Sequence, residues 1–360
     1  MIERLVVAGG GTGGHLFPGI AVVEELRRRS PGIEVIFVGT KRGIEHRLLP
    51  QRGERLEYVE VESLKGRSLL GFAASLTRLP RSLWRAFRLL RSIKPSVVLG
   101  VGGYASGPVV FVAALMGIPT ALLEQNAHVG LTNRLLGKVV KRAYLSFQST
   151  AAIFGKRKAR VLGNPVRREF VDAARLAKAD PQGFRSARHK IVVFGGSQGA
   201  KALNEQLPEA MALLKKEHGI DDLCVVHQSG QSMQAQVQEH YNALGIEAEV
   251  LPFVENVLRQ YREASVIVAR AGATTVAELC AVGRASVLVP YPFAADDHQN
   301  VNAKELEQVG AAERIEQSSL DAGVLASEAS APTKRHRVPG KHGKRSPRFR
   351  KTRRRSSHRR

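Results

Sequence analysis

Residues 5–15, Leu-Val-Val-Ala-Gly-Gly-Gly-Thr-Gly-Gly-His, join a backbone suited to holding phosphate to a side chain suited to moving a proton. Glycine lets the chain approach a ligand closely, and a loop that enters a helix presents free N–H groups and a positive dipole end to an anion. His15 closes that loop, and an imidazole can take a proton near neutral pH. A second glycine loop, Gly195-Gly196-Ser197-Gln198-Gly199, follows the apolar run 191–194, and Gly102-Gly103-Tyr104-Ala105-Ser106-Gly107-Pro108 lies between them. Gly9-x-Gly11-x-x-Gly14 fits the dinucleotide fingerprint, so a dehydrogenase remains an alternative. That fingerprint expects an acid after the second strand, where this chain has Gly39-Thr40-Lys41-Arg42, and the second loop does not repeat it. No Walker A spacing occurs, and spacing favours an enzyme of nucleotide-sugars. Asp221-Asp222 and Asp296-Asp297 are adjacent pairs, so no Asp-x-Asp metal motif exists, and Cys224 and Cys280 stand alone. No metal and no cofactor are expected.

The elements that must position these loops alternate strand and helix. Apolar runs predict strands at 5–8, 35–38, 58–61, 97–101, 120–123 and 144–147, then at 191–194, 223–226, 249–251, 266–269 and 286–289. Such a rhythm predicts an α/β fold of two Rossmann-like, doubly wound parallel-sheet domains facing a cleft, with ligands beyond the carboxyl ends of the strands. Domains are expected over 1–162, 163–316 and a disordered basic tail, 317–360. Residues 97–123 carry no charge and are long enough to span a membrane. The breaks at Gly102–Pro108 and Gly117-Ile118-Pro119 instead predict strand, turn, buried helix, strand. No secretory signal is visible, which predicts a cytoplasmic setting.

The net charge of +23 is concentrated at one end: 14 of the 55 Lys+Arg lie in 333–360, which holds no acid. Such a segment cannot bury enough apolar surface to order itself. The change near residue 317 reads as an altered reading frame, with an arm for nucleic acid or anionic lipid as the alternative.

Seven motifs in order carry a resemblance: Gly-Gly-Thr-Gly-Gly-His (10–15), the 102–108 loop, Glu-Gln-Asn-Ala-His-Val-Gly-Leu-Thr-Asn (124–133), Gly-Asn-Pro-Val-Arg (163–167), Gly-Gly-Ser-Gln-Gly-Ala (195–200), Arg-Ala-Gly-Ala-Thr-Thr-Val-Ala-Glu (270–278) and Asp-Asp-His-Gln-Asn (296–300). Together they resemble the MurG family of GT-B glycosyltransferases from residue 1 to about 316. The resemblance implies an inverting transfer of GlcNAc from UDP-GlcNAc to the 4-hydroxyl of MurNAc in undecaprenyl-diphospho-MurNAc-pentapeptide, lipid I, giving lipid II. It implies His15 as catalytic base or a group organising it, and Thr12, Gly13, Gly14 and Asn126 along the donor sugar. Arg167 and Val254 would frame the uracil, Ser197 and Ala273-Thr274-Thr275-Val276 would meet the diphosphate and its surroundings, and Glu278 the ribose. Gln299 would hold sugar hydroxyls, with His298 or Asn300 as the alternative register. Gly102, Gly103, Tyr104 and Ser106 would face the acceptor diphosphate. A UDP-GlcNAc epimerase of the same fold, or a basic-tailed binding protein, are the alternatives.

Between the third and fourth strands, Leu76, Leu79, Leu83, Phe87 and Leu90 repeat at helical spacing among arginines. This predicts a helix covering the sheet. Leu69, Phe72, Arg81, Trp84, Arg85 and Arg88 are the expected contact with an anionic membrane surface. The resemblance places the protein peripherally at the cytoplasmic face of the cell membrane. Its implied partners are UDP-GlcNAc, lipid I and possible cell-wall synthesis and division proteins, with no nucleic acid.

Overall fold

A computed structural model describes residues 2–61, 69–179, 188–196 and 199–330, with the backbone alone over 69–79 and 177–179. Strands β1 (Arg4–Gly9), β2 (Glu34–Gly39), β3 (Leu56–Tyr58), β4 (Val97–Gly102), β5 (Thr120–Glu124), β6 (Arg142–Leu145) and β7 (Ala159–Val161) form one parallel sheet in the order β3-β2-β1-β4-β5-β6-β7. Its helices are α1 (Gly13–Arg29), α2 (Glu45–Gln51), α3 (Leu69–Ile93), α4 (Ser106–Leu115), α5 (Leu131–Leu136) and α6 (Ala151–Phe154). After α7 (Arg168–Ala179) the pattern restarts with β8 (His189–Phe194), β9 (Leu223–Gln228), β10 (Ala248–Leu251), β11 (Val266–Ala269), β12 (Ser286–Leu288) and β13 (Glu313–Arg314), ordered β10-β9-β8-β11-β12-β13. Helices α8 (Lys201–His218), α9 (Gln234–Ala243), α10 (Val257–Glu263), α11 (Ala273–Val282), α12 (His298–Gln308) and α13 (Ala322–Ser330) complete it.

Strand side chains alternate between faces, and each sheet is buried on both. In the first sheet Val6, Ile36 and Val98 pack with Ala86, Leu90 and Val109 from α3 and α4, while Val7, Phe37 and Leu99 pack with Leu16, Ile20 and Val23 of α1. In the second, Ile191, Val193 and Val225 pack with Leu203 and Leu207 of α8, and Val192, Phe194 and Ile267 with Tyr261, Val276 and Leu279. The uncharged stretch 97–123 forms β4, α4 and β5, as its breaks predict. Among the described residues, no helix is long and apolar enough to cross a membrane.

Several expectations are corrected. The third strand ends at Tyr58 rather than Val61, and the sixth ends at Leu145 rather than Phe147. Strands β7 and β13 were not predicted, because edge strands of two or three residues rich in Arg and Glu carry no apolar period. The ordered chain also does not stop at residue 317. Helix α13 packs against α8 with Leu325, Ala326 and Ala329 buried in the core of the second sheet. Its small residues disguise it as a loop, yet alanine is a strong helix former and lets two helices approach closely. Residues 331–360 lie outside the described residues. On α3 the buried stripe is Ser82, Ala86, Leu90 and Ile93, with Phe87 turned out at 38% exposure. The expected stripe is therefore rotated about the axis.

Candidate active site

The loops after β1 and β4 fit backbone to backbone. Gly10 N–H donates to the Gly102 carbonyl at 3.2 Å. A Cβ on Gly9 would lie 2.1 Å from the Gly102 oxygen, and one on Gly103 would lie 2.3 Å from the Gly10 oxygen. Both residues have positive φ, so glycine is required on two counts. The His15 imidazole rests on this floor, where a Cβ on Gly102 would meet its Cδ2 at 2.7 Å. Thr12 Oγ1 lies 3.2 Å from His15 Nδ1. Burial holds the His15 pKa below its ordinary value, and the electrostatic influence of nearby His298 lowers it further. The Gly10 carbonyl and the Glu45 carboxylate oppose that shift. The imidazole is thus neutral at physiological pH, the state a general base needs.

Glu45 fills the pocket beneath this loop. Fully buried, its carboxylate accepts from Gly11 N–H at 2.7 Å and from Thr40 N–H and hydroxyl at 2.9 and 3.1 Å. Any Cβ on Gly10, Gly39 or Gly43 would collide with it. The Glu45 side chain therefore already occupies the Gly11 N–H that a dinucleotide phosphate would approach, which argues against the dehydrogenase reading. Gly102 and Gly103 serve this packing, and Tyr104 stands at the rim, 47% exposed. Ser106 is fully buried and its hydroxyl has no hydrogen-bond partner. A Cβ on Gly100 would touch that oxygen at 2.6 Å. The hydroxyl faces the sheet beside Gly100 of β4.

In the second half, α8 and α11 both begin after glycine loops and have no acid in the first turn. No acid of either first turn offsets these helix dipoles. Ala273, Thr274, Thr275 and Val276 form the first turn of α11, and Thr274 Oγ1 is buried without a hydrogen-bond partner. Ser197 lies outside the described residues. Arg167 and Glu278, expected to hold different parts of a nucleotide, pair with each other at 3.0 Å. The guanidinium also pairs with Glu169 at 2.9 Å and lies over the Phe170 ring. Burial raises the Glu278 pKa and Arg167 opposes it. Val254 is buried, and its N–H donates to Gln228 Oε1 at 2.9 Å.

The two halves meet at this level. Asn302 on α12 is fully buried; its Oδ1 accepts from Ala127 N–H at 2.8 Å. Its Nδ2 donates to the Asn126 side-chain oxygen at 3.2 Å and to the Ala271 carbonyl at 3.1 Å. Asn126 is held from below by Glu124, which accepts from its N–H at 3.1 Å and from Asn133 Nδ2 at 2.9 Å. Burial pushes the Glu124 pKa up to about 7. Entering α12, Asp296 and Asp297 adopt left-handed conformations with φ of 56° and 53°, a strain that collects at functional turns. Gln299 Oε1 accepts from Tyr291 N–H at 3.0 Å, whereas Asn300 is turned toward Asp297 and Arg314. His298 is the member of this trio that acts on His15. Among the described residues, no group of three or more His, Cys, Asp or Glu side chains could hold a metal ion.

Sequence reasoning missed Glu45, Gln228 and Asn302 as parts of the site. Glu45 had one legible signal, an acid among Gly39, Gly43 and polar neighbours. The others announce nothing locally, since their partners lie in distant loops.

Residues 5–145 match the glycosyltransferase family 28 N-terminal domain, and residues 190–341 match the C-terminal domain of the same family. The second match runs past residue 317, in keeping with the packed α13. A UDP-N-acetylglucosamine–N-acetylmuramyl-(pentapeptide) pyrophosphoryl-undecaprenol N-acetylglucosamine transferase of Syntrophus aciditrophicus is 44% identical over 328 residues, 91% of this chain and 89% of the relative. The crystal structure of Acinetobacter baumannii MurG superimposes with a TM-score of 0.73 at 34% identity, covering 90% of this chain and 89% of that one. The crystal structure of a UDP-N-acetylglucosamine 2-epimerase covers 94% of this chain and 92% of that one at TM-score 0.54 and 11% identity, a likeness of fold alone. The chain belongs to glycosyltransferase family 28 and, within it, to the MurG enzymes with the GT-B fold.

Proposed function

We propose that this chain transfers GlcNAc from UDP-GlcNAc to the MurNAc 4-hydroxyl of lipid I, with inversion at the anomeric carbon, to give lipid II. The observation that carries the reading is the junction of the halves. There a neutral His15 at the start of α1 stands across from His298, beside the acid-free start of α11. His15 removes the proton of the acceptor hydroxyl as its oxygen attacks the anomeric carbon. Thr12, Gly13 and Gly14 line the approach, and Asn126 and Gln299 hold the donor sugar. The departing diphosphate gains charge, which N–H donors at Ser197 and Ala273–Val276 offset. Val254 and Arg167 take the uracil, and Glu278 takes the ribose hydroxyls after exchanging Arg167 for them. Gly102, Gly103 and Tyr104 take the acceptor diphosphate.

The protein works at the membrane surface, since its acceptor is lipid-anchored. Trp84 is 57% exposed with Arg88 over its ring at 4.9 Å, and Phe87 and Arg81 are exposed beside them. Arg85 pairs with the exposed Glu60 beside this patch. The side chains of Leu69 and Phe72 lie outside the described residues.

Transfer of labelled GlcNAc from UDP-GlcNAc to a lipid I analogue tests the reading with the full chain. His15→Ala is expected to lower kcat by about 10² or more while leaving UDP affinity within about threefold. Turnover of UDP-GlcNAc in the absence of any acceptor, with no transfer in its presence, overturns it in favour of an epimerase.

A further inference from the structure

Gln228 ends β9, in the middle of a row of three strand ends. In register it lies beside Phe194 of β8 on one side and Leu251 of β10 on the other. The loops leaving those two strands are the ones assigned above to the diphosphate and to the base. The Gln228 side chain is buried, and each of its amide atoms reaches one of them. Nε2 donates to the Gly196 carbonyl at 2.8 Å, and Oε1 accepts from Val254 N–H at 2.9 Å. The partners fix this orientation, because a carbonyl can only accept and an amide N–H can only donate. The bond to Val254 is buried and the bond to Gly196 half-buried, and a buried amide missing one partner carries the cost of the unsatisfied atom.

The surroundings hold Gln228 still. Ser229 N–H donates to the Leu251 carbonyl at 3.0 Å, and the Ser229 carbonyl accepts from Asn204 Nδ2 at 2.9 Å. A Cβ on Gly199 would lie 1.8 Å from that same carbonyl, so the diphosphate loop rests directly on this strand end. His227, one residue earlier, is fixed between Tyr241 and Asn204, each at 3.1 Å.

We infer that Gln228 is a positioning residue for the donor nucleotide, setting the distance between the base-binding and diphosphate-binding loops through its two amide atoms. This rests on the donor site proposed above. The two atoms have separate roles, the oxygen holding the base loop and the nitrogen holding the diphosphate loop. Removing the nitrogen alone should therefore spare the base and cost the diphosphate.

Calorimetric binding of uridine and of UDP to the full chain tests this, with wild type and Gln228→Glu compared at pH 8. The glutamate still accepts from Val254 N–H but has no N–H for the Gly196 carbonyl. Uridine affinity is expected to stay within about threefold of wild type, while UDP affinity falls about tenfold, the scale of losing a buried hydrogen bond. Equal weakening of uridine and UDP, or no weakening of either, overturns the inference. Should that variant not fold, Gln228→Met, similar in length and without polar amide atoms, is expected to weaken uridine at least threefold and UDP by more; equal factors or none overturn it. Wild type separates the two claims. If wild type binds UDP no tighter than uridine, the donor-site reading fails. If wild type gains from the diphosphate and Gln228→Glu keeps the full gain of UDP over uridine, the positioning role alone fails.

Discussion

A histidine serves as a base only while it is neutral, and the environment of His15 decides that. Burial and His298 both lower its pKa; Glu45 and the Gly10 carbonyl raise it. The acid limb of the kcat/KM profile should therefore lie below the ordinary histidine value of 6.5. His298→Gln removes a lowering influence, so the limb should move to higher pH. Glu45→Gln removes a raising influence and should move it lower. A pH–rate series on the three proteins checks both signs, and a limb that ignores His298→Gln would break the link between His15 and its facing histidine. The same residue scale explains why Arg167 and Glu278 could be named from sequence but not their mutual pairing. Their types were legible, whereas their 3.0 Å contact depends on where α7 and α11 cross.

At the scale of elements, the glycine loops and α3 behave differently. The β1 and β4 loops interlock through backbone atoms, leaving no volume for a side chain. Gly103→Ala should cost about 3 kcal/mol or more, from a positive φ together with a carbonyl clash. Thermal unfolding of the purified protein measures it, and a loss under about 1 kcal/mol would mean that the loops part easily. Helix α3 was readable as amphipathic, but its rotation was not. The arginines flanking its apolar residues are long enough to serve either face, and packing on α4 chose the face centred on Ala86 and Leu90. Replacing Trp84 and Arg88 by alanine should reduce flotation with anionic vesicles several-fold while leaving turnover of a soluble acceptor analogue within about twofold. Equal flotation would move the membrane contact elsewhere.

For the whole molecule, the contact between halves matters most. Asn302 bonds to Asn126, Ala127 and the Ala271 carbonyl, thereby joining the first half to the loop before α11. Asn302→Ala removes all three bonds at a fully buried point. Activity should fall about tenfold or more, with UDP affinity changed less, and small-angle scattering should report a more open average shape. Unchanged scattering with unchanged activity would reduce Asn302 to a packing residue. Acid stability belongs to this scale too. Burial holds the His227 pKa at about 3, below the ordinary histidine value of 6.5. The folded state then binds fewer protons than the unfolded one, so stability is full above 6.5 and declines as pH falls toward 3. His227→Gln should flatten that decline in a pH series of urea midpoints.

The chain's covalent order was enough to give the two-domain α/β plan, the glycine loops, the candidate base and the family. Each of these rests on local features: a period of two or three to four residues, a glycine needed for one backbone angle, or a short motif read in place. Tertiary structure decided which atoms face which. It set the carboxylate of Glu45 under Gly11, turned the Ser106 hydroxyl toward the sheet, and drew Arg85 to Glu60. It also recruited the small residues of 322–330 into a core helix and brought Gln228 and Asn302 between distant loops. Those outcomes depend on distances between segments far apart along the chain, where spacing in sequence carries no record of spacing in space.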